Sequence, residues 1–485
     1  MTIDASQRED DTAAAPRDAG DSGYAKGLKS RHIQMIGIGG AIGTGLFLGA
    51  GGRLHDAGPS LILSYAICGV FALFVVRALG EMVVHRPSSG AFVSYAREFV
   101  GEKGAYAAGW FHFLNWSTTV VADSTAIALY FHYWGFFSDN VPQWLIALIA
   151  LVVVLVVNLV GVALFGELEF WFAIIKVAAL VIFMLIAIGV IVSGHHVGGT
   201  APGFSVISDN GGFFPQGAWP MFALMQGVVF AYASMELVGV AAGETPEPRK
   251  VMPKVVNSII WRIAIFYIGS VILLCLLLPY TSFSSGESPF VTVLSKLGVS
   301  GAGDVMNVVV ITAAASSMNS GLYSTGRVLR SMSLAGTAPR FTGLMSKTHV
   351  PYGGIAATAA VGVLGVVVNY LQPGKAFEIV LNLASVGIIG VWSMIMISHL
   401  MFVRKAQRGE IERPGFRLGG APVINIVTLV FLAAVLVLIG TDGDIGTWTI
   451  CLALPLVAAA MVGGWFAVRK RIDSSVFDEE GSGVA

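Results

Sequence analysis

The sequence predicts an all-α, polytopic membrane protein with twelve transmembrane helices. Three observations carry that expectation. Of 485 residues, 55% are hydrophobic and only 12% charged, with a mean hydropathy of +0.77, whereas a soluble domain carries about 25% charged residues. Apolar runs of at least 18 residues recur from end to end, each long enough for a hydrocarbon core of roughly 30 Å. Finally, Lys and Arg gather on one side of those runs. The N-terminal tail and the loops after even-numbered runs hold most of them, and the opposite side has only Arg53, Lys296 and Lys375. That asymmetry places both termini in the cytoplasm.

In chain order, residues 1–31 are polar, mixed in charge and free of an apolar core segment, so they read as a disordered cytoplasmic tail without a cleavable signal. The spans are expected at 33–52, 58–84, 104–131, 143–165, 169–194, 218–243, 255–280, 303–333, 354–371, 376–401, 422–440 and 447–468. The second and eighth exceed about 20 residues, so they should tilt or extend past the interface. Two connectors are more than loops. Pro87-Ser88-Ser89-Gly90 leads into the amphipathic AFVSYAREFVG, and Ser288-Pro289 leads into FVTVLSKLG. They fall at corresponding places if spans 1–5 and 6–10 are two copies of one unit. A unit of five spans must invert on repeating, as in many transporters.

Span 1 contains GIGGAIGTGLFLGAG (Gly37 to Gly51), with Gly43-Thr44-Gly45 at its centre. Adjacent helix-weakening residues suggest a break at bilayer depth, which survives only where it lines a cavity. A broken helix bares N–H groups on one half and C=O groups on the other, and together these can hold the carboxylate and ammonium of an amino acid. The same glycines also fit close helix contact of the GxxxG kind. Span 6 reads FAYASMELVGVAAGE (Phe230 to Glu244) and should break likewise. Glu236 sits within it, and a carboxylate there costs roughly 2.5–3.5 kcal/mol on insertion scales. It must be paired, hydrated or protonated, which suits a proton carrier, or else it caps the broken helix.

Lys176 in span 5 and Asp123 in span 3 are further intramembrane charges. Lys176 lies near enough to the interface to snorkel, but interior placement is the rule for such groups. Facing inward, its ammonium would meet backbone carbonyls at the span 1 break and act as a bound sodium ion does elsewhere. Asp123 fits either a hydroxyl network or a proton path.

Several function classes are excluded. Net charge is zero, so bulk charge predicts no nucleic-acid partner. Cys68, Cys275 and Cys451 each lie in an apolar run and read as isolated buried thiols, and His195-His196 stands without further ligands. No metal or cofactor is therefore expected. GIGGAIG lacks the spacing and the preceding strand of a dinucleotide loop. Asn115-Trp116-Ser117 is a glycosylation triplet, but it lies within a span. No nucleophile with its base and no large output domain argues for an enzyme or a sensor.

The motifs GAIGTGLFLGAG, AGPS, HRPSSGAFVSYAREFVG, GELEFWFAIIKV, FAYASMELVG and SSMNSGLYSTGRVLRSM together resemble the permeases of the amino acid–polyamine–organocation superfamily, over residues 27–470. HRPSSG and ALYFHYWG make the bacterial carriers of L-asparagine the most similar branch. The resemblance implies a five-plus-five inverted repeat of the leucine-transporter kind, with helices 1 and 6 broken. The repeats would span 32–194 and 218–401, followed by two further helices over 422–468 and a tail over 469–485. It also implies proton-driven uptake at the bacterial inner membrane, or exchange. Aspartate, glutamine, GABA, D-alanine and glycine stand as other substrates. Gly43, Thr44 and Gly45 would bind the substrate carboxylate; Phe230, Ala231 and Ala233 would take the amino group, with Phe230 as aromatic lid. Lys176 would replace sodium, and Glu236 and Glu244, with Asp123, would couple protons. Asn115, Ser117, Thr118, Ser316, Ser317, Asn319, Asn382 and Ser385 supply polar groups on the spans that line such a pocket, with Ser316 and Asn319 as the side-chain contacts chosen. Oligomeric state is left open.

Overall fold

The computed structural model describes residues 42–88, 91–237, 239 and 248–472, and among these the chain is helical throughout, without a strand. The elements that position the site are α1 (Thr44–Phe47), α2 (Gly49–Ala57), α3 (Leu61–His85), α4 (Ala91–Val100), α5 (Glu102–His132), α6 (Gln143–Val160), α7 (Val162–Ser193), α8 (Trp219–Ala223) and α9 (Met225–Ala231). After these come α10 (Pro248–Arg262), α11 (Ser270–Leu277), α12 (Pro289–Ser295), α13 (Ala302–Leu334), α14 (Tyr352–Leu371), α15 (Ala376–Gln407), α16 (Val423–Leu438) and α17 (Leu454–Val468).

Nine helices among the described residues are long and apolar enough to cross a membrane. The twelve expected runs differ from these nine for local reasons. Spans 1 and 2 form one run, Thr44–His85, turned at Gly58–Ser60. Span 3 is α5, long enough at 31 residues but made less apolar by Asn115, Ser117, Thr118, Thr119 and Asp123. Span 6 is divided between α8 and α9, and its later residues lie partly outside the described ones. The boundary between spans 4 and 5 also moves, because the chain turns at Gly161 and the following apolar residues begin α7. Both special connectors are helices, α4 and α12. Pro289 opens α12 at a first-turn position, where its missing N–H would have no partner anyway.

The outward faces are apolar. Val152, Val153, Leu185, Val192, Leu364, Val437 and Leu456 are all exposed, a surface that only lipid or a partner chain would cover. Only 6% of the most apolar window in Gly443–Val468 is buried, so α17 lies at the periphery. Cys451 is exposed there, against the expectation of a buried thiol, whereas Cys68 and Cys275 are buried.

At the centre, α5 packs against α13 and α15. The crossing with α15 is made at Gly387, where a Cβ would stand 2.5 Å from the Asn115 amide nitrogen. Small residues of this kind let two helix backbones touch where no hydrophobic force drives helices together.

One buried charge sits where the sequence singled out nothing. Glu81 of α3 is fully buried. Arg413 grips both its oxygens, Nε at 2.7 Å and Nη2 at 3.0 Å. His399 Nε2 lies 2.9 Å away and the Leu418 N–H donates at 2.6 Å. The segment between α15 and α16 is thereby strapped onto α3. Removing one partner of a buried pair strands the other. Arg413→Ala should therefore cost about 3 kcal/mol, read as a lower unfolding midpoint of the detergent-solubilised protein. An unchanged midpoint would show that the strap carries no stability.

Candidate functional site

Gly43 is extended (φ −131, ψ −165) and the helix begins at Thr44. The N–H groups of Leu46 and Phe47 both reach the Gly43 carbonyl, at 3.2 Å each. The N–H groups ahead of them have no partner within the helix, as at any helix start. Facing them, α9 stops at Ala231, and residues 232–236 are turns, with Ser234 in the left-handed region at φ 78. Such a φ is uncommon for a side-chain-bearing residue and is held by surrounding structure.

The two segments meet directly. A Cβ on Gly45 would fall 2.6 Å from the Ala231 Cα, so only glycine permits this approach. The carbonyls after the turn are each partly engaged. Phe230 accepts from the Ala233 N–H at 2.9 Å, Ala231 from the Tyr267 hydroxyl at 3.1 Å, and Ala233 from the Ser234 hydroxyl. A carbonyl has two lone pairs, so each keeps one free site.

Around this meeting point lies a small cavity of about 20 Å³, lined by Gly43, Thr44, Gly45, Asn115, Trp116, Thr119, Phe230, Ala231, Ala233, Ser234 and Ser317. That is room for about one water molecule. Gly43, Thr44, Gly45, Phe230, Ala231 and Ala233 of the expected substrate set are therefore brought together. Ser316 and Asn319 are absent from the lining, and their side chains meet other elements. Ser316 bridges two charged groups, described below. Asn319 Oδ1 takes a 2.7 Å bond from Asn158 Nδ2, which ties α13 to α6.

The charged groups form a second layer. Thr44 Oγ1 donates to Asp123 Oδ1 at 2.7 Å, and the Ser317 side chain lies beside the same carboxyl. Lys176 is 1% exposed, and its Nζ donates to Ser316 Oγ at 2.9 Å. Ser316 in turn donates to Glu169 Oε1 at 2.7 Å. Lys176 thus faces inward, but its hydrogen bond goes to a hydroxyl of α13. Of the carbonyls at the span 1 break, Gly43 accepts from the Leu46 and Phe47 N–H groups, Thr44 from Leu48 and Gly45 from Arg53; residues before Ile42 lie outside the described ones. Glu169, fully buried and seven residues before Lys176, shares its helix face. That spacing was the signal that could have found it.

Glu236 is fully buried past the turn. Its Oε2 accepts a long 3.4 Å bond from Trp392 Nε1, and its Oε1 has no hydrogen-bond partner among the described residues. Glu244 lies outside the described residues. Arg53, counted from the sequence among the few charges opposite the cytoplasmic side, is 6% exposed. Its Nη1 donates to the Gly45 carbonyl at 3.2 Å, and a Cβ on Gly227 would fall 2.2 Å from its Nη2. Beside it Gln226 Nε2 reaches Asp442 Oδ2 at 2.9 Å and Asn382 Oδ1 at 3.4 Å. None of these polar side chains is part of the cavity lining.

Residues 32–475 match the family model described as "Amino acid permease". The L-asparagine permease of Streptomyces coelicolor is 64% identical over 461 residues, covering 95% of this chain and 94% of that protein. The L-asparagine permease of Salmonella typhimurium is 57% identical over 454 residues, 94% of this chain and 91% of that one. L-asparagine permease 1 of Mycobacterium tuberculosis is 56% identical over 452 residues, 93% and 92% of the two chains.

The Lys176–Ser316–Glu169 chain has a measurable consequence. Lys176→Met strands a buried carboxylate and should cost about 3–5 kcal/mol, whereas Lys176→Met/Glu169→Gln should recover most of that loss. Thermal unfolding in detergent compares the two variants. Equal midpoints for the single and double variants would show that the groups are not coupled.

Proposed function

This chain belongs to the amino acid permease family, a multi-pass membrane transporter and not an enzyme, and on that premise we propose that it imports L-asparagine by proton symport. The observation that carries the reading is the cavity at Gly45 and Ala231, where a helix start and a helix end touch with backbone groups to spare. Such groups are complementary in charge to a zwitterion. Its carboxylate takes the N–H groups at Gly43–Gly45, which carry the positive end of the helix dipole. Its ammonium takes the free lone pairs of the carbonyls from Phe230 to Ala233, and Phe230 covers it.

The spans are read as two inverted sets of five, over 32–194 and 218–401, with helices 1 and 6 broken at the cavity and two further spans outside the repeat. Alternating access then comes from rocking one group of helices against the other about a fixed site. Both termini face the cytoplasm and the membrane is the bacterial inner membrane. Lys176, held by Ser316, supplies the fixed positive charge near the span 1 segment that a metal ion would otherwise bring. Glu236, with one carboxylate oxygen unpartnered, is the proton carrier, and Asp123 ties Thr44 to the second layer. Asparagine is net neutral, so one proton moved with it carries one charge inward. A membrane potential of 100 mV then contributes about 2.3 kcal/mol per cycle.

A single helix-end interaction is worth about 0.3–2 kcal/mol, too little to choose among amino acids that share the same backbone. The choice must be made by side chains further into the cavity.

In proteoliposomes holding the purified protein, radiolabelled asparagine should accumulate when an inward proton gradient is imposed and should stop when an ionophore collapses it. Uptake indifferent to the gradient would favour an exchanger. Glu236→Gln should abolish gradient-driven accumulation while asparagine counterflow between two loaded compartments persists, because exchange needs no net proton movement. Full accumulation by that variant would move the proton to another group.

A further inference from the structure

We propose that Asn115 reads the side chain of the substrate, pairing its own carboxamide with that of asparagine through two reciprocal hydrogen bonds. This rests on the proposed function and goes one step beyond it, to the residue that makes the choice of substrate. Asn115 is fully buried on α5 and lines the cavity, and neither its Oδ1 nor its Nδ2 has a hydrogen-bond partner among the described residues. A buried amide with a donor and an acceptor both idle is rare, and each such group in a native structure calls for a partner.

The neighbouring polar groups do not compete for that role. Ser117 and Thr118 donate to the Leu114 carbonyl at 3.3 and 2.6 Å, and Thr119 donates to the Asn115 carbonyl at 2.7 Å. Their donors are therefore spent on their own helix. The Ser317 hydroxyl lies beside the Asp123 carboxyl. Trp116 Nε1 is idle too, but an indole can only donate. Asn382 lies outside the lining, and its Oδ1 already accepts from Gln226. Asn115 alone of the lining side chains offers an unused donor together with an unused acceptor.

The backbone that carries Asn115 is held in place. Gly387 of α15 leaves 2.5 Å between a would-be Cβ and the Asn115 nitrogen, so α15 sits against it. The amide is thus presented without a large cost of ordering.

A primary carboxamide offers one carbonyl and one NH2 in a plane, and a second one turned about matches both. Aspartate presents acceptors only, so it would leave Oδ1 of Asn115 facing another oxygen. Leucine has nearly the shape of asparagine and neither group. A site built to hydrogen-bond a substrate rejects the analogue that lacks the groups, because its own polar atoms are then stranded.

The test uses the full-length protein in proteoliposomes, with radiolabelled asparagine as substrate and unlabelled leucine, aspartate and glutamine as competitors. Wild type should prefer asparagine over leucine by at least ~100-fold. Asn115→Leu should bring that preference to within about tenfold, by losing asparagine transport and gaining leucine inhibition. Asn115→Asp keeps the shape and loses the donor; it should weaken asparagine uptake at least ~10-fold without helping leucine, and it decides the matter should Asn115→Leu not fold. An asparagine-to-leucine ratio unchanged in a folded variant overturns the role of Asn115 and leaves the proposed function standing. A wild type that does not take up asparagine overturns both.

Discussion

The absence of water inside a bilayer is the constraint on which the rest of this molecule depends. A peptide group at that depth must find its partner within the protein. Regular helices meet the demand along almost the whole chain. The demand is relaxed where α1 starts at Gly43 and α9 ends at Ala231, and these two ends are pressed together at Gly45. Their spare backbone groups point to a polar molecule that brings both charges with it. The glycine is what makes the contact possible, since any side chain would hold the two segments apart.

The buried charges obey the same rule. Lys176 and Glu169 share Ser316; Arg53 rests on the Gly45 carbonyl beside Gly227; Glu81 is gripped by Arg413, His399 and the Leu418 amide. Each ties two or more helices together, so each is a strut as well as a charge. Isolated charges would not be tolerated at this depth, and paired ones fix how neighbouring helices are placed. Asp123, Glu169 and Glu236 each keep one carboxylate oxygen without a hydrogen-bond partner among the described residues, whereas both oxygens of Glu81 are engaged.

The adjacent serines of α13 connect these layers. Ser317 lines the cavity beside Asp123, while Ser316, its neighbour, turns away to Lys176 and Glu169. A helix sends successive side chains about 100° apart, so two neighbours serve two different surroundings. This is why Ser316 looked like a pocket residue in the sequence and is not in the lining. Asn319 was drawn in by the same reasoning and belongs instead to the contact with α6.

The class of the protein was legible in one dimension. Apolar length, the scarcity of charge and the placement of Lys and Arg are sums along the chain, and the requirement for internal hydrogen bonding turns those sums into spanning helices. Gly43-Thr44-Gly45 was legible for a similar reason, since helix-weakening residues act on their own backbone, whereas Phe230, Ala231 and Ala233 came from the resemblance to amino-acid permeases. Asn115 and Arg53 could be named but not placed, and Glu169 and Glu81 were not singled out, because their roles depend on what another helix brings to them. Whether a polar side chain meets lipid, a partner or an open cavity depends on the rotation and crossing of helices far apart in the sequence, as Asn115 and Gly387 are. Packing alone decides that, through contacts such as Gly387 on Asn115 and Gly45 on Ala231.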